Sequence, residues 1–131
     1  MAARRRTDIA AGLAAVDAWV ADTAVDRPTL AAAVRYTLEE LAARAPGNAV
    51  EVRVPPFGVT QCVAGPRHTR GTPPNVVETD PATWLALATG QLTWQEAVTG
   101  GRVLASGQRT DVSAWLPLLA RGEPGAGTVE P

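Results

Sequence analysis

The hydrophobic positions of the chain follow two different periods, and the change from one period to the other divides the sequence. Over residues 8–22 the apolar side chains recur at intervals of three and four, which is the period of one helix face. A second segment with this period follows Asp26, which can accept N–H groups at a helix start, and it ends at Pro46 and Gly47. The amino-terminal third therefore predicts two amphipathic helices.

From residue 50 onward the apolar period shortens to two, which is typical of a strand with one face in water. Residues 50–54 alternate valine with charged side chains. Residues 57–63 predict a second strand, antiparallel to the first because the connection between them is short. Glycines and prolines make residues 65–74 a predicted loop, and residues 75–79 predict a third strand.

Two short helices, a strand and a last helix are predicted for the carboxyl-terminal part. Asp80, followed by proline, marks the start of the first helix, and Gly90 marks its end. Thr93 and Glu96 match the capping box, in which a hydroxyl and a carboxylate each satisfy a free N–H. Residues 102–106 predict a fourth strand. A last helix, capped by Asp111, is predicted to contain Trp115, Leu116 and Leu119.

The predicted strands are joined by short turns rather than by alternating helices. This favours an α+β fold, in which a mainly antiparallel sheet is covered by helices on one face. The length of 131 residues fits one domain, predicted over residues 1–121, and residues 122–131 are predicted to be a disordered tail. Acidic residues interrupt the apolar start of the chain, so we expect no secretory signal and a cytoplasmic protein.

The amino-acid composition excludes several kinds of functional site but adds little about the fold. With a net charge of -1, the chain lacks the excess of positive charge that is typical of a general nucleic-acid binder. No apolar run approaches the ~18 residues of a membrane span. One cysteine and one histidine exclude a disulfide framework and a zinc site built from these residues. All 12 basic residues are arginine, so no lysine can form a Schiff base. We therefore expect no cofactor, metal, nucleic-acid partner or transmembrane segment.

A series of motifs follows in one order between residues 79 and 119. These are an aspartate, an aromatic helix motif closed by glycine, a second short helix and a basic strand between glycines, written TDPATWLALATG, TWQEAVTG and GRVLASG. The series resembles the carboxyl-terminal half of sterol carrier protein type-two-like domains. The whole chain also resembles the short stand-alone orthologues found in actinobacteria. The resemblance implies a sheet of five strands where the pattern predicts four, and an apolar cavity between sheet and helices that holds lipids in family members.

A lipid cavity needs apolar side chains from the covering helices and the inner sheet face, with few polar groups among them. Apolar residues at these spacings lie in an ordinary core more often than in a cavity wall, so either role is open for each candidate. The candidate lipid-binding residues are Trp84, Leu87, Leu92, Trp94, Val98, Leu104, Trp115 and Leu119.

A polar cluster in the predicted loop is the second candidate site. Arg67 and Arg70 flank the single imidazole, His68, and such a cluster could hold the carboxylate or phosphate of an acidic headgroup. The alternative is a polar loop whose arginines bond to neighbouring carbonyl and carboxylate groups. No acidic residue lies close in sequence to orient His68, so a catalytic pair is unsupported. Cys62, inside a predicted strand, is expected to be a buried thiol.

These features favour a non-enzymatic protein that binds or transfers a lipid or other apolar small molecule. One alternative is an accessory module for another protein, with the same fold and a filled core. A third reading is an enzyme acting at Arg67, His68 and Arg70. The sequence leaves the ligand and the oligomeric state open.

Overall fold

The computed structural model of the protein describes residues 6–65 and 75–121, and the predicted order of elements is confirmed from the first helix to the last strand. The predicted tail and most of the predicted loop lie outside the described residues. The elements are α1 Ile9–Ala21, α2 Arg27–Arg44, β1 Val50–Val54, β2 Gly58–Cys62, β3 Val76–Thr79, α3 Pro81–Thr89, α4 Trp94–Thr99 and β4 Val103–Ser106.

The helix starts follow the signals that the sequence carries. The carboxylates of Asp8, Asp26 and Asp80 each accept an N–H three residues further on, which satisfies a donor that has no partner inside the helix. Gly90 ends α3 with φ of 84°, a left-handed conformation that costs glycine little. Local polar chemistry therefore fixes where these helices begin and where α3 ends.

The strands form one sheet in the order β2-β1-β3-β4. The β1-β2 and β3-β4 pairs are antiparallel, whereas β1 and β3 are parallel. The fold class is thus α+β as predicted, with a mixed sheet in which antiparallel pairing dominates. The strands β2 and β3 follow each other in sequence but lie on opposite sides of β1 in the sheet. The resemblance implied five strands, and the described residues contain four.

The sheet has one face in the core and one face toward solvent. Val50, Val52 and Val54 are at most 1% exposed and pack in one hydrophobic core with residues of α1, α2 and α3. The opposite face carries Val59 and Leu104, which are 59% and 69% exposed. This asymmetry explains the alternating pattern of the strands, because successive side chains point to opposite faces.

The helices α1 and α2 cross at a point where Gly12 of α1 lies against Tyr36 of α2. A Cβ added at Gly12 would lie 2.4 to 2.6 Å from atoms of the Tyr36 side chain, so the two helices approach closely only because this residue has no side chain. Both residues are buried. The tyrosine ring therefore occupies the space that a larger residue at position 12 would need.

A buried hydrogen bond joins α3 to α2 in the centre of the core. The Nε1–H of Trp84 donates to Oγ1 of Thr37 at 2.8 Å, and both side chains are at most 1% exposed. The hydroxyl of Thr37 donates in turn to a backbone carbonyl of its own helix, Ala33 at 2.8 Å or Val34 at 2.9 Å. The buried indole of Trp84 thus has its polar group satisfied inside the core.

The predicted last helix is wrong. Only one turn of 3-10 helix forms, over Ser113–Trp115, and the backbone at Leu116 is extended. The carboxylate of Asp111 accepts the N–H of Ser113, two residues on, which closes a local turn instead of capping an α-helix. Pro117 has no N–H with which to continue a helix.

The segment after Pro117 bonds to the end of α3 instead of to itself. The N–H groups of Leu118 and Leu119 donate to the carbonyl of Ala88 at 2.9 and 3.0 Å, and that of Arg121 donates to Thr89 at 2.9 Å. Carbonyls in the last turn of a helix have no intrahelical partner, so this long-range contact satisfies them. These bonds to α3 form in place of the α-helix that the apolar period of the segment predicts.

Cys62 is buried, as predicted, and burial raises the pKa of its thiol from 9.0 to about 12. Between these two values the native state keeps a proton that the unfolded chain loses, so this group lowers the free energy of unfolding as pH rises from 9.0 to about 12. Near neutral pH the native thiolate fraction is about a thousandfold below that of the unfolded chain.

We therefore expect Cys62 to react with a disulfide reagent at pH 8 about a thousandfold more slowly in the native protein than in denaturant, within the limit set by unfolding. The reaction is followed by the absorbance of the released thiolate. Rates that agree within about tenfold in the two states would show that the thiol is not protected.

Candidate functional site

An apolar groove lies where the end of α3, the start of α4 and the segment after β4 meet. Its volume is about 420 Å³, within the range of about 300–1,000 Å³ typical of small-molecule pockets. The groove opens to solvent along one side. Its lining consists of Leu87, Gly90, Leu92, Thr93, Trp94, Gln95, Asp111, Ser113, Leu116 and Pro117.

The turn between α3 and α4 forms one wall because its backbone is held by a series of hydrogen bonds. After Gly90, the N–H groups of Gln91 and Leu92 both donate to the carbonyl of Ala86, which turns the chain back across the end of α3. Thr93 then starts α4 with the predicted capping box. The side chains of Leu92 and Trp94 are thereby carried on a rigid connection.

The opposite wall is the segment that the sequence predicted to be helical. Leu116 and Pro117 face the groove, and the β-carbon of Pro117 lies 3.4 Å from the position that a Cβ on Gly90 would occupy. The bonds from Leu118 and Leu119 to α3 hold this segment in place. The groove therefore exists because residues 111–117 do not form an α-helix.

The groove has an apolar floor and a polar rim. Leu87 is 1% exposed at its base, while Leu92, Trp94 and Leu116 are half-buried and keep part of their surface accessible. Hydroxyl, amide and carboxylate groups stand around the edge. Such a combination removes apolar surface from water and leaves a few polar groups to orient a ligand. The rim residues are Thr93, Gln95, Asp111 and Ser113.

Asp111 sets the electrostatics of the rim. Hydrogen bonds from the side chain and then from the backbone of Ser113 lower the pKa of the Asp111 carboxyl, so it stays ionised well below neutral pH. The lining of the groove contains no arginine to balance this charge. The rim therefore disfavours an anionic group and accommodates a neutral or cationic one.

The structure brings three of the predicted lipid-binding residues, Leu87, Leu92 and Trp94, to this groove. Trp84 lies in the core. Trp115 and Leu119 are half-buried against the core, outside the groove. The remaining two are exposed, with Val98 48% exposed on α4 and Leu104 beside a separate hollow of about 240 Å³.

The predicted anion-binding residues Arg67, His68 and Arg70 lie outside the described residues. Asp111, Leu116 and Pro117 were not predicted to be part of a binding site. Their contribution depends on the extended course of the chain after the 3-10 turn, for which the sequence carries no signal beyond the proline.

Other kinds of site receive no support from the described residues. Across residues 6–65 and 75–121, no group of three or more histidine, cysteine, aspartate or glutamate side chains is placed to hold a metal ion. None of the helices in these ranges is both long and apolar enough to span a membrane.

The mixed sheet with helices on one face, together with the apolar groove, defines a small α+β domain with one candidate binding site among the described residues. The sequence model of a family described as bacterial SCP ortholog, SCP being sterol carrier protein, matches residues 26–118, more than two thirds of the chain. The chain belongs to this family of sterol-carrier-like proteins. A search of curated proteins finds none that matches it. The matched range includes every residue that lines the groove.

Proposed function

We propose that the protein binds a lipid or another apolar small molecule in the groove between α3, α4 and residues 111–117, without changing it chemically. The observation that carries the proposal is the accessible apolar surface of Leu92, Trp94 and Leu116 above the buried Leu87. Membership of the sterol-carrier-like family supports the same role. A carrier of this kind needs no reactive groups.

The size of the groove suits part of an acyl chain or a compact apolar ring system. Each CH₂ group transferred from water to such a surface contributes about 0.8 kcal/mol. A few buried groups therefore give weak, reversible binding, which is the behaviour that transfer requires. The charge of Asp111 favours a ligand whose polar end is neutral or cationic.

A charge placed on the wall of the groove tests the proposal. We expect Leu92→Asp to weaken binding of an uncharged fluorescent acyl probe to the delipidated protein by about tenfold or more, because the new carboxylate would be desolvated by the ligand. Val98→Asp is the matched control, since it adds the same charge to an exposed position of α4 outside the groove. Affinity is measured by fluorescence titration, and circular dichroism checks folding.

The same titration with a carboxylate-bearing probe tests the role assigned to the rim. Asp111→Asn retains an acceptor for the N–H of Ser113 and removes the charge. We expect this variant to raise affinity for the carboxylate probe by about three- to tenfold and to leave the uncharged probe unaffected. In the titration with the uncharged probe, equal affinities of Leu92→Asp and Val98→Asp would show that the ligand does not bind against Leu92. That result would overturn the proposal.

A further inference from the structure

The strand β2 forms one edge of the sheet, and its backbone is half unpaired within the described residues. Glu51 of β1 directs its N–H toward β3, where it donates to the carbonyl of Asn75 at 2.9 Å. Backbone groups alternate in direction along a strand, so the β1 residues on either side of Glu51 bond to even-numbered residues of β2. Val59 and Gln61 therefore direct their N–H and C=O groups outward.

A groove of about 790 Å³ runs beside this edge, between β2 and α2. Gly58 allows the strand to lie close to the helix, because a Cβ at this position would be only 3.0 Å from Cδ1 of Leu38. Val59, next to it, is 59% exposed. An extended peptide added to a sheet edge gains main-chain hydrogen bonds, and hollows beside the edge receive its alternate side chains. The geometry of β2 supplies both features.

Positive charge predominates along the groove. Arg35 donates from Nε to the carbonyl of Phe57 at 3.2 Å, which anchors its guanidinium beside the turn that precedes β2. Arg6 also lines the groove, and Glu39 is the single carboxylate in the lining. Both oxygens of Glu39 accept backbone N–H groups, from Arg6 and Thr7, at 3.1 Å each. The lining of the groove therefore carries two arginines and one carboxylate, which gives it a net positive charge.

We propose that the β2 edge binds an extended acidic peptide of a partner protein as an added strand. The peptide pairs with the outward backbone groups of Val59 and Gln61, and its carboxylates lie near Arg6 and Arg35. A second copy of this chain fits less well, because a two-fold contact through the same edge brings the Arg35 side chains of both copies into one interface. Like charges oppose such a contact, whereas acidic side chains complement it.

Fluorescence anisotropy of the full chain with a labelled octapeptide that alternates glutamate and valine tests this surface. We expect saturable binding, weakened by added salt, and binding at least about tenfold weaker for the octapeptide that alternates lysine and valine. Amide chemical shifts should change at Val59 and Gln61. These readouts do not involve the groove at α3 and α4, so this proposal and the proposed function can fail separately.

Two variants separate the contributions of backbone and charge. Val59→Pro removes an outward N–H at an edge position, where proline is tolerated, and we expect about a tenfold loss of affinity. Arg35→Gln removes one positive charge and should cost about threefold to tenfold. Arg44→Gln is the matched control on the same helix, outside the groove, and should bind as the unaltered protein does.

Several outcomes overturn the proposal. Equal affinity for the acidic and basic peptides, unchanged affinity in both Val59→Pro and Arg35→Gln, or no binding at all would each do so. The Arg35→Gln result stands even if Val59→Pro disturbs the strand. A concentration-dependent dimer in sedimentation that Val59→Pro abolishes would assign the edge to a second copy of the chain instead.

Discussion

Trp84→Ala will lower the free energy of unfolding by about 3–5 kcal/mol, the range for removing a large aromatic side chain from a packed core. The indole is 1% exposed and is one of the largest side chains buried between the sheet and the helices. Its removal leaves a cavity in a region where neighbouring valines and leucines are themselves fully buried. The change also leaves Thr37 without the N–H that its hydroxyl oxygen accepts.

Smaller changes at Thr37 and Trp84 measure the free energy that the buried hydrogen bond contributes. Thr37→Val keeps the shape of the side chain but leaves the indole N–H of Trp84 without an acceptor, at a cost of about 1–3 kcal/mol. In a Trp84→Phe background the donor is already absent, so the same threonine change should cost less. Urea unfolding of the two single variants and the double variant gives the coupling energy. If the losses of stability of the two single variants add up to that of the double variant, the hydrogen bond contributes no coupling energy.

Gly12→Ala will destabilise the protein by about 1–3 kcal/mol, the usual cost of overpacking a core. The direction of the change in the free energy of unfolding is informative, because helix propensity alone would make Gly12→Ala stabilising by about 1 kcal/mol. Steric conflict dominates here, since the added Cβ would lie 2.4 Å from Cγ of the Tyr36 ring. Relief of that conflict requires α1 to move away from α2.

The origin of this cost is checked by making room on the opposite helix. When Tyr36 is first replaced by alanine, the cost of Gly12→Ala should shrink, because the Cγ and Cδ1 atoms that the new Cβ meets are gone and only the contact with the Cβ of residue 36 remains. Thermal and urea unfolding of the four proteins measure this directly. If Gly12→Ala raises the midpoint of unfolding in the unaltered background, the steric conflict between the two helices costs less free energy than the helix propensity of alanine supplies.

The sequence predicted most of the fold because its strongest signals are local. Asp26 and Asp80 act as helix caps on the residues that directly follow them, and the alternating valines of β1 report its single buried face. These features depend on neighbours within four residues, so they can be recognised without knowing the rest of the structure. The parallel pairing of β1 with β3 is a contact at long range and could not be predicted in this way.

The candidate site was harder to predict because its second wall depends on contacts between distant residues. The apolar period of residues 111–119 indicates a helix. The free carbonyls at the end of α3 draw the N–H groups of Leu118 and Leu119 into bonds across 30 residues of chain instead. The sequence also could not separate the buried Trp84 from the accessible Trp94. Both lie in apolar helical patterns, and only the packing distinguishes a core residue from a groove residue.

Methyl NMR spectra of the delipidated protein can show where an apolar ligand binds. The protein, with labelled leucine and valine methyl groups, is titrated with an uncharged monoacylglycerol. We expect progressive shifts of the methyl signals of Leu87, Leu92 and Leu116, while those of Val52 and Val77 stay unchanged. Shifts confined to the two valines would put the ligand between the sheet and the helices, and an unchanged spectrum would show that the groove binds no such ligand. Either result would rule out ligand binding in the groove between α3, α4 and residues 111–117.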